Sequence, residues 1–252
     1  MKKFTDILIV GYGNIGKHME NELRNAGTIH ICDPIKGYEL DNCLYDIAFI
    51  CVPTEMLPDG SCDTHIVDEV VDKVNAAVIV IKSTIPVGHT DYLRGKTGKN
   101  IIHSPEYYGT TQHADPSPNF LVLGGDRDSC DKVAQLYYKV KNGSFRIHFT
   151  DSKTAELAKY MENCFLALKV TFCAEFATVA KEFGISYPQL REIFIADPRM
   201  GDSHTFIDPK QPFYSSHCLN KDIPGFVAQS DKAHLMRAVL DINEAKKRDK
   251  DY

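Results

Sequence analysis

Residues 6–16 read DILIVGYGNIG. A short β-branched apolar run, 6–10, ends in Gly11-Tyr12-Gly13-Asn14-Ile15-Gly16, and the residues after it open a helix. A G-x-G-x-x-G string alone is weak; between a strand and a helix it is the fingerprint of a dinucleotide-binding turn. In such a turn Gly11 permits the tight bend, Gly13 lets a pyrophosphate approach the backbone, and Gly16 lets helix and sheet pack closely. The pyrophosphate then rests on the helix N-terminus. The next apolar run, 29–32, ends at Asp33, 17 residues after Gly16. A carboxylate there accepts hydrogen bonds from the adenosine ribose and repels a 2′-phosphate, so the expected cofactor is NAD despite the neighbouring Lys36. A glycine-rich turn in a fold that binds no dinucleotide would leave the strand, the helix and the acid in register without a reason.

Working outward, further apolar runs follow at 47–52, 77–82, 100–103 and 120–123. Between them lie amphipathic patterns such as 64–74, with Ile66, Val67, Val70, Val71 and Val74 on one face. Continuous β-branched runs alternating with helices predict an α/β fold, a doubly wound parallel sheet of the Rossmann type covered on both faces. From about residue 150 the pattern changes. Residues 152–183 read as one long helix, with Leu157, Met161, Cys164, Leu168, Phe172, Phe176, Val179 and Phe183 at three- and four-residue steps. Asp151 or Ser152 can cap its start and Gly184 stops it. At about 1.5 Å per residue it spans nearly 50 Å, longer than a small domain, which predicts a homodimer packed along it. Shorter helices are expected near 187–195 and 231–247. The expected domains are therefore 1–150, dinucleotide-binding, and 151–252, all-helical.

The chain has 252 residues, 43% hydrophobic and 25% charged, which excludes a disordered chain. A net charge of −5 gives no basic footprint for nucleic acid. No apolar run approaches the roughly 20 residues of a membrane span, so no membrane partner is expected. The N-terminal MKKFTDILIV is too short in apolar residues for a signal peptide, which predicts a cytoplasmic protein. The eight cysteines, at 32, 43, 51, 62, 130, 164, 173 and 218, form no C-x-x-C pair. No zinc or other metal site is expected, and the thiols read as reduced.

Several segments go beyond a dinucleotide fold. Cys51-Val52-Pro53-Thr54 ends one strand, Ser83-Thr84-Ile85-Pro86-Val87-Gly88 follows the next, and Ser104-Pro105-Glu106-Tyr107 follows a third. The long helix opens Thr154-Ala155-Glu156-Leu157-Ala158-Lys159-Tyr160 and continues to Asn163; Asp197-Pro198-Arg199-Met200-Gly201 and Cys218-Leu219-Asn220-Lys221-Asp222 come after it. In this order they resemble the UDP-glucose/GDP-mannose dehydrogenase family over nearly the whole chain. The resemblance implies an NAD-dependent, four-electron oxidation of the C6 alcohol of a nucleotide sugar to a carboxylate, serving polysaccharide synthesis. It makes Cys218 the nucleophile that holds the aldehyde as a thiohemiacetal and then a thioester. Lys159 and Asn163, four apart on a helix, would stabilise the substrate oxygen. Glu106 would activate water for thioester hydrolysis, with Asp222 and Thr84 positioning it. Pro53, Thr54, Ser83 and Thr84 would line the cofactor site, while Arg199 and Tyr214 would reach the substrate, Arg199 across a subunit interface. Without the resemblance, Cys218 reads as a buried structural thiol, and the lysine, amide, acid and arginine as ordinary surface groups.

Three departures stand out. Tyr214-Ser215-Ser216-His217 occupies the place of the family's paired glycines before the nucleophile. Thr110 stands where the family carries a second glutamate after S-P-E; His113 is nearby without an assigned role. The segment 242–248 resembles the helix that leads into the family's third, nucleotide-binding domain, which this chain is expected to lack. Two other readings compete: a two-electron β-hydroxyacid-type dehydrogenase, and a non-catalytic NAD-binding or dimerisation module.

Overall fold

A computed structural model describes residues 5–108 and 118–248. Gly109, Thr110 and His113 therefore lie outside the described residues. The described chain forms two compact units, one of residues 5–55, 62–108 and 118–159, the other of 56–61 and 160–248.

The first unit alternates strands and helices: β1 (Thr5–Val10), α1 (Asn14–Leu23), β2 (Gly27–Cys32), β3 (Tyr45–Ile50), α2 (His65–Lys73), β4 (Ala76–Ile81), α3 (His89–Thr97), β5 (Ile101–His103), β6 (Phe120–Gly124), α4 (Arg127–Tyr138) and β7 (Arg146–Thr150). It ends in the first turns of α5 (Ser152–Glu182). One seven-stranded sheet runs β2-β1-β3-β4-β5-β6-β7. Each strand alternates its side chains between faces, so the continuous apolar runs feed two cores. Ile7, Ile9, Phe49, Val78 and Val80 meet Met19 and Leu23 of α1 and Val133 of α4 on one side. Leu8, Val10, Ala48, Ile50, Ile79 and Ile81 meet Val67 and Val71 of α2 and Leu93 of α3 on the other. Each fully buried aliphatic side chain contributes about 1.5–3 kcal/mol.

The sheet departs from the parallel expectation at one seam, where β5 pairs antiparallel with β6 through His103 and Gly124. The sequence reading also missed β7. Arg146 and His148 are exposed in it, as suits an edge strand.

The second unit contains the rest of α5, α6 (Tyr187–Ile195), α7 (His217–Gln229) and α8 (His234–Arg248). Cys164 and Ala167 of α5 pack against Leu219, Ile223 and Val227 of α7 and Met236 and Val239 of α8. Asp151 caps the start of α5, its Oδ1 accepting from the Thr154 N–H at 2.9 Å. Gly184, at φ +70°, closes the end: its N–H donates to the Lys181 carbonyl at 3.1 Å, and that of Ile185 to Ala180 at 2.8 Å. α7 was not read from the sequence, because Pro224 lies inside it and proline is a helix breaker.

The apolar stripe on α5 is distributed differently from a core stripe. Ala167, Cys173, Ala174 and Ala180 face inward, whereas Met161, Phe165, Phe172, Phe176 and Phe183 are exposed. By length and composition alone α5 is long and apolar enough to cross a membrane, with mean hydropathy 1.4 over 18 residues, contrary to the expectation that no apolar run approaches a membrane span. Its inward face is that of a core helix, with Asn163 hydrogen-bonded to Asp222 of α7.

Candidate active site

The strand order reverses between β2-β1 and β3-β4, so the crevice beyond the carboxyl ends of β1 and β3 is the place where such sheets bind ligands. The G-x-G-x-x-G turn lies there. Gly11 adopts φ +88°, and a Cβ on it would stand 2.6 Å from the Cys51 carbonyl oxygen. A Cβ on Gly16 would stand 2.0 Å from the carbonyl oxygen of Gly11, whereas one on Gly13 would meet nothing within 4 Å. The first and third glycines are thus fixed by packing and the second faces open space, an arrangement that fits a dinucleotide pyrophosphate. Asn14 and Ile15 open α1 beside it. The Asp33 carboxylate accepts from the Tyr12 N–H at 2.9 Å and lies 3.5 Å from the Lys36 ammonium. The acid, the turn and the lysine therefore form one cluster, with the lysine 5.7 Å above the Tyr12 ring.

A second ledge lies at the ends of β3 and β4. Ser83 Oγ donates to the Val52 carbonyl at 2.6 Å, and Thr54 Oγ1 to the Thr84 carbonyl at 2.8 Å. These bonds bring Pro53, Thr54, Ser83 and Thr84 together. Glu106 follows β5, and the ammonium of the largely buried Lys159 stands 4.9 Å from the ring centre of Tyr107, the next residue.

In the second unit, Cys218 is exposed in the first turn of α7. Helix N-termini favour a thiolate there through the positive end of the dipole. Asp222 stands one turn on, 3% exposed. It accepts from Asn163 Nδ2 at 2.6 Å and from the Lys221 ammonium at 2.5 Å, so the buried carboxylate has a partner on each oxygen. Ser216 has φ −62° and ψ 147°, open to any residue, and its hydroxyl accepts from the Leu219 N–H at 3.3 Å. Ser216 therefore caps the helix without strain. Tyr214 is buried against α5, α7 and α8, its backbone pinned by Asn243 through bonds of 2.9 and 3.2 Å. Arg199 is exposed and forks onto Asp197, whose carboxyl it holds below the usual range.

Two residues had no role in the sequence reading. Glu156, inside the quoted Thr154–Tyr160 stretch, caps α3. Lys82, next to Ser83, is buried beneath Pro105. A charged residue within an otherwise apolar or motif-bearing run was the signal available for both.

The first unit defines a Rossmann-type dinucleotide-binding fold joined to a helical unit carrying a cysteine at a helix N-terminus. The profile of the UDP-glucose/GDP-mannose dehydrogenase family, NAD binding domain, matches residues 38–141, and that of the family's central domain matches 153–245. The chain belongs to this family. A UDP-N-acetyl-D-mannosamine dehydrogenase of Methanocaldococcus jannaschii is 31% identical over 79% of this chain and 48% of its own length. A UDP-glucose 6-dehydrogenase of Campylobacter jejuni is 26% identical over 90% and 59%. The chain thus spans about half the length of the curated relatives it matches. In fold it is similar to a UDP-glucose dehydrogenase of Pyrobaculum islandicum, with TM-score 0.79 at 21% identity over 96% of this chain and 68% of that one. A 3-hydroxyisobutyrate dehydrogenase of Mycobacterium tuberculosis is similar with TM-score 0.67 at 19% identity, over 98% and 94%.

Proposed function

We propose that this chain carries the NAD-binding and catalytic parts of a UDP-sugar 6-dehydrogenase that makes a uronate by way of a cysteine thioester. The observation that carries the reading is Cys218 at the start of α7, one turn from an Asp222 held by Asn163 and Lys221. NAD, when bound, supplies the hydride acceptor for both oxidations. Gly11–Gly16 receive its pyrophosphate and Asp33 its ribose, while Pro53, Thr54, Ser83 and Thr84 line the nicotinamide end. Lys159 and Asn163 hold the C6 oxygen as negative charge develops on it. Loss of the first hydride to bound NAD and of the hydroxyl proton to solvent leaves an aldehyde. The Cys218 thiolate adds to C6, so no free aldehyde escapes. Loss of the second hydride gives a thioester. Glu106 takes a proton from water as it attacks that carbonyl, with Asp222 and Thr84 orienting the water; the C–S bond breaks and the thiol is regenerated. Arg199 and Tyr214 belong to substrate binding, Arg199 from the neighbouring subunit.

The exposed side chains on α5 support a homodimer. Met161 and Phe172 stand 11 residues apart, as do Phe165 and Phe176. That spacing is 3.67 residues per turn, close to a straight helix, which lets two copies of α5 pack along their length.

The experiment is the NADH formed per sugar consumed, with UDP-glucose and with UDP-N-acetylmannosamine, in the unsubstituted protein and in Cys218→Ser. Two NADH per sugar, lost in the variant, supports the reading. The two-electron reading has in its favour the 3-hydroxyisobutyrate dehydrogenase fold, which this chain covers almost end to end. One NADH per hydroxyacid, unaffected by Cys218→Ser, would establish it instead.

A further inference from the structure

Ser215, Ser216, His217 and Cys218 are all exposed, between a Tyr214 that is 3% exposed and a Leu219 that is 5% exposed. Burial does not fix Cys218, so its place is set by what holds the chain on either side of it.

The last helix, α8, holds both sides. Asn243 is 1% exposed. Its Oδ1 accepts from the Tyr214 N–H at 2.9 Å, and its Nδ2 donates to the Tyr214 carbonyl at 3.2 Å. Tyr214 belongs to no helix or strand. One buried amide thus takes the backbone donor and acceptor that a neighbouring strand would otherwise satisfy. Lys247 stands one turn further along α8, on the same face. Its ammonium donates to Asn220 Oδ1 at 2.9 Å, lies 5.7 Å from the centre of the Tyr214 ring and is held by Glu244 at 2.7 Å. Asn220 Nδ2 donates in turn to the Ser215 carbonyl at 3.0 Å. The segment 214–220 is therefore tied to one face of α8 before Cys218 by Asn243 and after it by Lys247.

These ties are not what keeps α8 on the fold. Met236 and Val239 of the same helix already pack against Cys164, Ala167, Leu219 and Ile223. Apolar packing has no direction, whereas a pair of hydrogen bonds to one residue's backbone sets register and orientation.

We propose that Asn243 and Lys247 are positioning residues for Cys218, fixing from α8 the turn that enters α7 and with it the place of the thiol at the helix N-terminus. The proposal rests on the reading of Cys218 as the nucleophile. A misplacement of about 1 Å can cost a reaction about 10²-fold.

The test is the rate at which iodoacetamide alkylates Cys218 as a function of pH, in the unsubstituted protein, in Asn243→Leu and in Asn220→Ala. It is read on the Cys218 peptide by mass spectrometry, apart from the exposed Cys43. Neither substitution changes a charge. Loosening the turn takes the thiol off the helix N-terminus, so the midpoint is expected to rise by about half a pH unit in Asn243→Leu and by less in Asn220→Ala. With NAD and UDP-glucose, kcat is expected to fall about 10²-fold in Asn243→Leu while KM for NAD is unchanged. An unchanged midpoint or an unchanged kcat in an Asn243→Leu protein that keeps its circular dichroism and cooperative melt overturns the proposal, leaving Asn243 a role in stability alone. Should Asn243→Leu fail to fold, Asn220→Ala decides on the same alkylation: a raised midpoint supports the proposal and an unchanged one overturns it. The alkylation is read without NAD or sugar, whereas failure of the dehydrogenase reading appears as absent NADH in the unsubstituted protein.

Discussion

The Glu156 carboxylate of α5 accepts from the Thr90 N–H at 2.9 Å and the Thr90 hydroxyl at 2.6 Å, and also takes the Gly88 N–H. A side chain from one helix thus caps the N-terminus of another, α3, whose own cap residue is a glycine without a side chain to do it. Lys159 lies one turn further along α5, so the cap also fixes where the proposed oxyanion-binding lysine stands.

Glu156→Ala would leave three donors without an acceptor and should cost about 2–3 kcal/mol, read by urea denaturation. Burial raises the Glu156 carboxyl above its ordinary 4.5 more than the hydrogen bonds lower it. The folded protein therefore binds this proton more tightly than the unfolded chain. The stability that results is present at acid pH and is lost as pH rises above 4.5 through the raised value. The cost of Glu156→Ala should accordingly be greater at pH 4.5 than at pH 7. A cost that grows with pH would mean that the hydrogen bonds to the ionised form dominate.

His103 carries the opposite pH signature. It is fully buried beside Lys82, and its imidazole is pushed down from 6.5 to about 3. The unfolded chain takes up the proton first, so stability is lost as pH falls from 6.5 towards 3. At full linkage this amounts to about 5 kcal/mol. His103→Leu should flatten the acid side of a melting-temperature profile relative to the unsubstituted protein. Parallel profiles would show that His103 does not titrate in this range.

Much of this was legible in the sequence because local signals agreed with one another. Gly11, Gly13 and Gly16 could be given separate roles from the motif, and the backbone at φ +88° and the two close approaches follow those roles. The core strands were legible because both faces are buried, making their apolar runs continuous. The antiparallel pairing of His103 with Gly124 was not, since strand direction depends on a connection and not on composition. β7 was hidden by its exposed Arg146 and His148, and α7 by Pro224. Lys82 and Glu156 were visible as residues, but their partners are 22 and 66 positions away, and no spacing rule joins them.

The bond of 2.6 Å between Asn163 and Asp222 gives a prediction for the site itself. Asn163→Asp would place a second carboxylate against a buried one, and two such groups cannot both ionise. Loss of the donor should cost about 3 kcal/mol at pH 7, with the deficit shrinking towards pH 5 as the pair takes up a shared proton. Calorimetric melting at the two pH values checks this. Asn163→Ala should lose less stability yet lower kcat by at least about 10²-fold, the usual cost of an oxyanion donor. Equal losses of stability in the two variants would point to simple packing.

The outward face of α5 gives the last prediction. Phe172 and Phe176 are each 45% exposed and touch one another, ring centres 4.7 Å apart. Neither belongs to the core cluster of Cys164, Ala167 and the α7 and α8 residues. Phe172→Asp with Phe176→Asp should therefore leave the fold intact, with circular dichroism and the cooperative melt retained. The proposed dimer should not survive, because two carboxylates from each copy would be buried at its centre without partners. Sedimentation equilibrium at micromolar concentration should give twice the monomer mass for the unsubstituted protein and the monomer mass for the variant. If Arg199 acts across that interface, the variant should also lose sugar-dependent NADH formation while retaining NAD binding. A monomeric unsubstituted protein, or a variant that remains dimeric, would place the subunit contact elsewhere or remove it.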